Sequence, residues 1–252
     1  MSTSGIASKI SPFLYALLIA ALAIAVIAFA VRGSWGEKEA ATAGLTMFGT
    51  FLGALFAFRL NERKEQAKLE EEQRRALNAA LFVIARQVNA IKTIKNDLAP
   101  YKTDFERGFN CPGFRYPAYS DLVLDFERLD FLMSGTPMLL MELSVQQEGF
   151  HQALAAITTR NDFYVDEVQP EISRLGLTRQ PASINMLREK LGQRLTEGSI
   201  NGAKAMYRLV DEAEAALPIT HDALFKSAKA LFPGSKFIKL APSASTPAAG
   251  ET

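Results

Sequence analysis

The residues best suited to chemistry are few and widely separated in this sequence. The histidines are His151 and His221, and the single cysteine is Cys111. His151 follows Glu148 by three residues, but a structural zinc site normally takes four ligands, so we interpret the histidines as surface or core residues. Cys111 has no histidine or metal-ligating residue near it in sequence, which favours a structural or incidental cysteine over a reactive thiol.

Carboxylates recur four residues apart, at Asp121 and Asp125 and again at Asp162 and Asp166. On amphipathic helices such pairs usually face solvent. The sequence also contains no glycine-rich phosphate loop, no G-x-S-x-G elbow and no H-E-x-x-H motif. We therefore predict no catalytic residue, no cofactor and no metal site, and a protein that is not an enzyme.

The charge balance gives little reason to expect nucleic-acid binding. The 252 residues include 28 Lys and Arg against 27 Asp and Glu, so no global basic field exists. A modest C-terminal patch interleaves lysines with phenylalanines: Phe225, Lys226, Lys229, Phe232, Lys236, Phe237 and Lys239. Such a patch can bind nucleic acid or an anionic membrane. A solvated lysine face on an amphipathic helix is the favoured interpretation.

Residues 12–31 contain neither a charge nor a glycine. At about 1.5 Å per residue, this run covers about 30 Å, the thickness of the hydrocarbon core. A cleaved signal peptide is the alternative, because Lys9 precedes the run and Ala28-Phe29-Ala30 resembles a cleavage site. The run exceeds the roughly 7–15 apolar residues of a signal peptide, so a retained transmembrane helix is favoured.

A second apolar run, residues 40–60, is uncharged until Arg59. The two runs and the polar loop between them predict a transmembrane hairpin with both termini on one side. More basic residues follow the second run than lie in the loop, among them Arg63 and Lys64, so the positive-inside rule places both termini in the cytoplasm. A lone Cys111 fits that reducing compartment.

The second run carries small residues on one face: Thr42, Thr46, Gly49, Gly53 and Ala57. Small residues let two helices approach closely, and Gly49-xxx-Gly53 is the short form of that motif. The face fits packing against the first span of the same chain. It fits equally a helix-association face between copies of the protein.

No proline or glycine interrupts residues 54–99, so one helix is predicted over residues 40–98, leaving the membrane near Arg59. A charged stalk is followed by apolar residues at steps of four, three, four, three and seven: Leu77, Leu81, Ile84, Val88, Ile91 and Leu98. This is a coiled-coil seam of about three heptads that Lys95 interrupts. Because the seam is short, packing on the same chain is favoured over an intermolecular coiled coil.

The segment after Pro100, residues 101–120, is long for a loop and rich in aromatic residues, including Phe105, Phe109, Phe114, Tyr116 and Tyr119. Long connections are often functional or packed in their own right. A packed cover over the helices is the favoured interpretation. The alternative is a loop that contacts a partner.

The remaining sequence predicts helices. Ser120 would cap one to about Met133, and Thr136 with Pro137 would begin another to about Val168, with Leu139, Leu143, Phe150, Leu154, Ile157 and Val165 on its apolar face. Ser183 would cap a helix toward Leu217 that its glycines could divide, ended by Pro218, and Thr220 would cap the last helix to Phe232. Residues 241–252 have the composition of a disordered tail.

The predicted protein is therefore an all-α membrane protein. Its parts are a transmembrane hairpin (1–60), a charged stalk and bundle helix (61–99), a cytoplasmic helical bundle (100–240) and the tail (241–252).

This outline resembles bacterial two-transmembrane effectors of anti-phage systems, of the retron-associated or abortive-infection type. The resemblance is architectural. It is carried by the hairpin, by Gly49 and Gly53, and by the charged exit of residues 59–75. It implies an inner-membrane protein that forms homo-oligomers, compromises the lipid bilayer, and is restrained by a cytoplasmic protein or ribonucleoprotein partner. The alternative function is a membrane-tethered scaffold or adaptor whose bundle docks partner proteins.

Overall fold

The structure is a computed structural model, which describes residues 37–177 and 183–240. The predicted first span (12–31) and the predicted tail (241–252) lie outside the described residues. Within the described residues the chain is all-helical, with connecting turns and extended segments and no strand.

The longest helix, α1, runs over Glu37–Leu98. A single helix was expected over residues 40–98, because nothing between Ala54 and Leu98 breaks a helix, and Pro100 then disfavours helical backbone at Ala99. Among the described helices, α1 is the one that is long and apolar enough to cross a membrane. Only 6% of its most apolar stretch is buried.

The chain divides into two compact units, Met1–Glu70 and Glu71–Thr252. The described part of the first unit is the N-terminal part of α1. The second unit contains the rest of α1 and all later elements.

The second helix, α2, spans Pro137–Phe163, with Pro137 in its first turn as predicted. The helical path continues through a π-helical turn at Tyr164–Val168 into a short helix, α3, at Gln169–Arg174. Near Val168, where the helix was predicted to end or bend, the helical path widens into this turn and continues. Pro170 lies within this continuous helical path, where it cannot donate a backbone hydrogen bond, and the wide π-helical turn directly precedes it.

The fourth helix, α4, spans Ile184–Leu191, and the Ser183 side chain caps it by accepting from the Met186 backbone N–H at 3.2 Å. Gly192, at φ +83°, separates α4 from the long helix α5, Gln193–Leu231. Only this glycine divides the predicted helix, since Gly198 and Gly202 lie inside α5.

Two predicted helix boundaries are wrong. Pro218 does not break α5, and Thr220 does not cap a new helix; it is buried and its hydroxyl donates to Glu142 of α2 at 3.1 Å. The residues flanking Pro218 explain the difference. Leu217 and Leu224 are buried in the core, and their packing holds the helix across a residue that would otherwise break it.

The helix predicted over residues 121–133 is also wrong. The chain there is extended and then turns, ending in a 3₁₀ helix at Asp130–Ser134. Leu122 and Leu124 are buried at alternate positions, and amide side chains from two helices satisfy their backbone. Gln87 donates to the Leu122 carbonyl at 2.9 Å, while the Leu124 N–H donates to Gln147 at 3.0 Å.

Helices α1, α2 and α5 share the main core of the second unit. Contacts between Glu142 and Thr220 and between Phe163 and Gly198 show that α2 and α5 run in opposite directions. A smaller cluster lies around the π-helical turn at Glu106–Asn110: Phe109, Val168, Leu177, Leu187, Leu191 and Ile200.

Candidate functional site

The small-residue face of α1 is exposed along its length: Thr42, Thr46, Gly49, Gly53 and Ala57. The Thr42 and Thr46 hydroxyls each donate to the carbonyl four residues earlier, at 2.8 Å, so their polar groups are satisfied within the helix. A Cβ atom built on Gly49 or Gly53 would meet no described atom within 4 Å. Among the described residues, therefore, nothing packs on the middle of this face.

The six predicted seam residues of α1 are 0–3% exposed: Leu77, Leu81, Ile84, Val88, Ile91 and Leu98. They pack in the core that α1 shares with α2 and α5. Lys95, which interrupts the seam, forms ion pairs with Asp211 and Glu214 of α5. The seam therefore packs on its own chain, whereas an intermolecular coiled coil would need these residues exposed.

Residues 101–120, which we call the aromatic loop, cover the helices of the second unit. Phe109 is buried, and Phe105, Phe114, Tyr116 and Tyr119 are half-buried. The Tyr116 hydroxyl donates to Asp97 of α1 at 3.0 Å, and the Tyr119 ring meets Phe150 of α2 edge-on at 6.3 Å between centroids. These contacts have the geometry of a packed cover.

One buried arginine holds that loop in place. The Arg160 side chain, 3% exposed on α2, donates to four backbone carbonyls of the loop. Its Nη2 reaches Cys111 at 2.6 Å, Arg107 at 3.2 Å and Gly108 at 3.3 Å, and its Nη1 reaches Pro112 at 2.9 Å. We call this arrangement the arginine clasp.

Neighbouring side chains reinforce the clasp. Asn161 donates to the Phe114 carbonyl, the Tyr164 hydroxyl to the Phe109 carbonyl at 2.8 Å, and Ser199 of α5 to the Gly108 carbonyl at 2.7 Å. The polar backbone of a buried turn must find such partners. The clasp thereby joins the loop to both α2 and α5.

The clasp holds a cation with carbonyl dipoles and an aromatic face. The Arg160 guanidinium lies 4.6 Å from the centroid of the Tyr164 ring. Burial lowers the pKa of Arg160, although a guanidinium stays charged in proteins. Burial also raises the pKa of the Cys111 thiol, which keeps it protonated and unreactive. A structural role for Cys111 agrees with this environment.

Among the described residues, neither histidine belongs to a group of metal-ligating side chains. His151 is exposed and lies 3.0 Å from the Gln147 side-chain nitrogen. His221 is 2% exposed, its Nε2 has no hydrogen-bond partner, and burial lowers its pKa. Across residues 37–177 and 183–240, no cluster of three or more His, Cys, Asp or Glu could hold a metal ion.

A cleft of about 500 Å³ lies between the loop and α2. The carboxylates Asp162 and Asp166 line it together with Arg115 and the Phe114 and Tyr116 side chains. Cations, anions and rings all border the same space, so its lining selects no single class of ligand.

The C-terminal lysines are engaged locally. Lys226 pairs with Asp222 at 2.7 Å, Lys229 donates to the Ser235 carbonyl at 2.6 Å, and the Lys239 ammonium lies 5.9 Å from the Phe225 ring centroid. The phenylalanines Phe225, Phe232 and Phe237 pack against the core. This is the arrangement of an amphipathic segment with a solvated lysine face.

One surface was not anticipated from the sequence. Met138, Met141 and Val145 of α2 are 73%, 61% and 52% exposed, and Ile219 of α5 is 66% exposed. From Val145 a groove of about 320 Å³ continues between α2 and α5, lined also by Glu148, Gly149, Leu209, Glu212 and Ala216. We call these residues together the methionine groove.

The sequence contained a signal for this surface. Met138, Met141 and Val145 lie three and four residues apart, so they form a second apolar stripe beside the one predicted for the core. One member of the predicted core stripe, Val165, is instead 44% exposed. Arg160 was missed in a similar way: it follows Ala153 and Ile157 at the spacing of the buried face, where an arginine is rarely expected.

Comparisons of the chain with protein-family models, with curated proteins and with solved structures gave no match.

Proposed function

We propose that the protein is a membrane-anchored effector that self-associates through the small-residue face of α1 and compromises the bacterial inner membrane, under the restraint of cytoplasmic partners. One observation carries the proposal. An exposed strip of small residues lies within the stretch of α1 that is apolar enough to cross a bilayer. In lipid, helices associate by close backbone approach over such residues, because the hydrophobic effect no longer drives them together.

The proposal includes the architecture predicted from the sequence. Residues 12–31 and 40–60 form a two-span hairpin with both termini in the cytoplasm, and the helices of the second unit form a cytoplasmic bundle. The resemblance to anti-phage effectors supplies the biological setting.

The continuity of α1 offers a route for control. The helix that carries the small-residue face also carries the seam, from Leu77 to Leu98, that is buried in the second unit. A partner that binds the second unit would thereby act on the chain segment that enters the membrane. Restraint by a cytoplasmic partner needs no separate linker.

The test is membrane potential and growth in a bacterial host that expresses the full chain without its neighbouring genes. Depolarisation with growth arrest is expected, and Gly53→Leu should abolish both, because its side chain blocks close helix approach. Ala54→Leu is the matched control. Ala54 is also small and exposed, but it lies about 100° further round the helix, so its substitution should leave toxicity intact.

Equal expression of both variants in the membrane fraction must be verified. Toxicity that survives Gly53→Leu, or that Ala54→Leu removes equally, would count against assembly through this face. An intact membrane potential at high expression, with the neighbouring genes and a phage challenge also present, would reject the effector.

A membrane-tethered adaptor is the second candidate, and the methionine groove favours it. A monomeric soluble domain rarely leaves several large apolar side chains exposed together unless they bind something. If the hairpin only anchors the protein, replacing residues 1–60 with an unrelated two-span anchor should preserve function. Loss of function in a well-expressed, membrane-inserted chimera would argue against the adaptor.

A further inference from the structure

We infer that the methionine groove is a docking site for a basic amphipathic helix of a partner protein. The inference goes beyond the proposed function, because it concerns the second unit alone. It stands whether the membrane segment disrupts the bilayer or only anchors the chain.

The apolar content of the groove is the first reason. Met138, Met141 and Ile219 each expose more than half of their surface. Methionine is flexible and polarisable, so a methionine-rich surface can adapt to the side chains of an incoming partner. Together with Val145, these side chains supply anchor contacts on both walls of the groove.

The shape of the groove suits a helix. Its walls are two helices that run in opposite directions, and its floor includes Gly149 and Ala216. A Cβ atom on Gly149 would meet no described atom within 4 Å, so a partner can approach the backbone there. The groove itself runs along α2 from Val145 to Gln152, and the exposed Met138 and Met141 continue the same helical stripe. Groove and stripe together span about 21 Å, which matches about four turns of a partner helix. Helix-in-groove binding uses anchors at this spacing.

Charge indicates that the partner is basic. Residues 137–159 contain Glu142 and Glu148 but no lysine or arginine. Residues 209–225 contain Asp211, Glu212, Glu214 and Asp222, again without a lysine or arginine. On the α5 wall these groups are already engaged within the chain, because Asp211 and Glu214 pair with Lys95 of α1 and Asp222 pairs with Lys226. The negative charge available to a partner is therefore that of the α2 wall.

The acidic groups on the α2 wall keep their charge available. Glu142 accepts a hydrogen bond from Thr220, and Glu148 accepts one from Gln152, both from neutral side chains. On the α5 wall, Glu212 is paired with Arg208 at 2.8 Å, within the same helix. A lysine or arginine on the partner, placed beside Glu148, would be attracted without having to displace a cation from it.

The same charges disfavour other occupants. An anionic membrane surface would be repelled by Glu142 and Glu148. A second copy docked groove to groove would bring these carboxylates together, which is unfavourable across an interface.

The experiment uses the full chain in nanodiscs of zwitterionic lipid. The probe is a fluorescent peptide of leucine and lysine, about 15 residues long and arranged as an amphipathic helix. Its comparators replace every lysine with glutamate, or scramble the order to remove the helical stripe. Fluorescence anisotropy measures binding, with empty nanodiscs as the background.

Saturable binding of the lysine helix is expected, weakening as salt rises from about 0.05 M to about 0.5 M. Met141→Lys should weaken it at least about tenfold, because it removes an anchor and adds repulsion. Glu148→Lys should weaken it less and strengthen binding of the glutamate helix. Val165→Lys is the matched control, since Val165 is similarly exposed but lies outside the groove, and it should leave affinity unchanged.

Circular dichroism must show that the variants keep their helix content and melting temperature. Several results would overturn the inference. These are no binding of the lysine helix, equal binding of the glutamate or scrambled peptides, and equal losses for Met141→Lys and Val165→Lys. Sedimentation that reveals a dimer broken by Met141→Lys would assign the groove to a second copy instead.

Discussion

Helix α1 buries its apolar side chains in one region and exposes them in another. In its N-terminal region, Leu45, Phe56 and Phe58 are 75%, 62% and 70% exposed. In its C-terminal region, Leu77, Leu81 and Ile91 are completely buried. The same residue types thus meet two environments along one helix. The first region suits contact with lipid, and the second packs against the chain's own helices.

Polar groups follow the same division. In the first unit, the hydroxyls of Thr42, Thr46 and Thr50 donate to carbonyls of their own helix, four residues away. In the second unit, Arg160 and Gln147 bond to residues far away in sequence. The threonine hydroxyls of the first region need no tertiary contact for their hydrogen bonds, whereas the second region depends on such contacts. Mutational sensitivity should therefore be concentrated in the second unit.

The largest effect should come from breaking the arginine clasp. Arg160→Met leaves buried loop carbonyls without donors and should lower the free energy of unfolding by about 3–5 kcal/mol. Arg194→Met is the control, because Arg194 is an exposed residue that pairs with Glu167. Urea unfolding of the detergent-solubilised chain measures both. Equal stability of the two variants would show that the clasp contributes little.

Replacing one leucine by alanine in each region of α1 tests the comparison directly. Leu81→Ala should lower the free energy of unfolding by about 2–5 kcal/mol, because it opens a cavity in the core. Leu45→Ala, at an exposed position, should change the free energy of unfolding by less than about 0.5 kcal/mol. The same urea titration gives both values. Similar costs at both sites would mean that the first region also packs against protein.

Glycines sharpen the contrast between packed and open helix surfaces within the second unit. A Cβ on Gly198 would lie 2.7 Å from Cζ of Phe163, so Gly198→Ala should destabilise by about 1–3 kcal/mol. Gly149→Ala should instead stabilise by about 0.5–1 kcal/mol, because space is open there and alanine favours a helix. Thermal unfolding followed by circular dichroism reports both. A stabilising Gly198→Ala would contradict the close approach of α2 and α5.

The smallest effect concerns pH. Burial lowers the pKa of His221 in the folded chain, while in the unfolded chain it titrates near its ordinary value of about 6.5. As pH falls from about 7.5 to about 5.5, the unfolded state binds a proton that the folded state resists, which removes at most about 1.4 kcal/mol of stability. His221→Leu should flatten the fall of melting temperature over this interval. An unchanged slope would show that His221 does not cause it.

The sequence predicted helices best where local signals were undisturbed. The extent of α1 followed from a long stretch without proline or glycine, and the start of α2 followed from Pro137. Prediction from the sequence failed where residues distant in the chain determine the backbone conformation. Gln87 and Gln147 hold residues 122–124 in an extended form, and core packing carries α5 through Pro218. Neither effect is visible in a local window.

The two proposed interaction surfaces divide in the same way. The small-residue face could be identified from spacing alone, because five positions on one helix define it. The methionine groove could not, since Leu209 and Ala216 join Val145 only when α5 packs beside α2. The arginine clasp likewise requires knowing that the loop after Pro100 folds back onto Arg160.

The clasp resembles the solvation of an ion. Arg160 sits among carbonyl oxygens much as a cation sits in its hydration shell, with no carboxylate among the acceptors named for it. If one carbonyl moves away, the other three still accept hydrogen bonds from the guanidinium. If the whole segment moves away, the buried guanidinium loses all four acceptors. Residues 107–112 should therefore open as one cooperative unit. The amide protons of residues 107–111 should exchange with solvent together, at a rate set by the stability of α2.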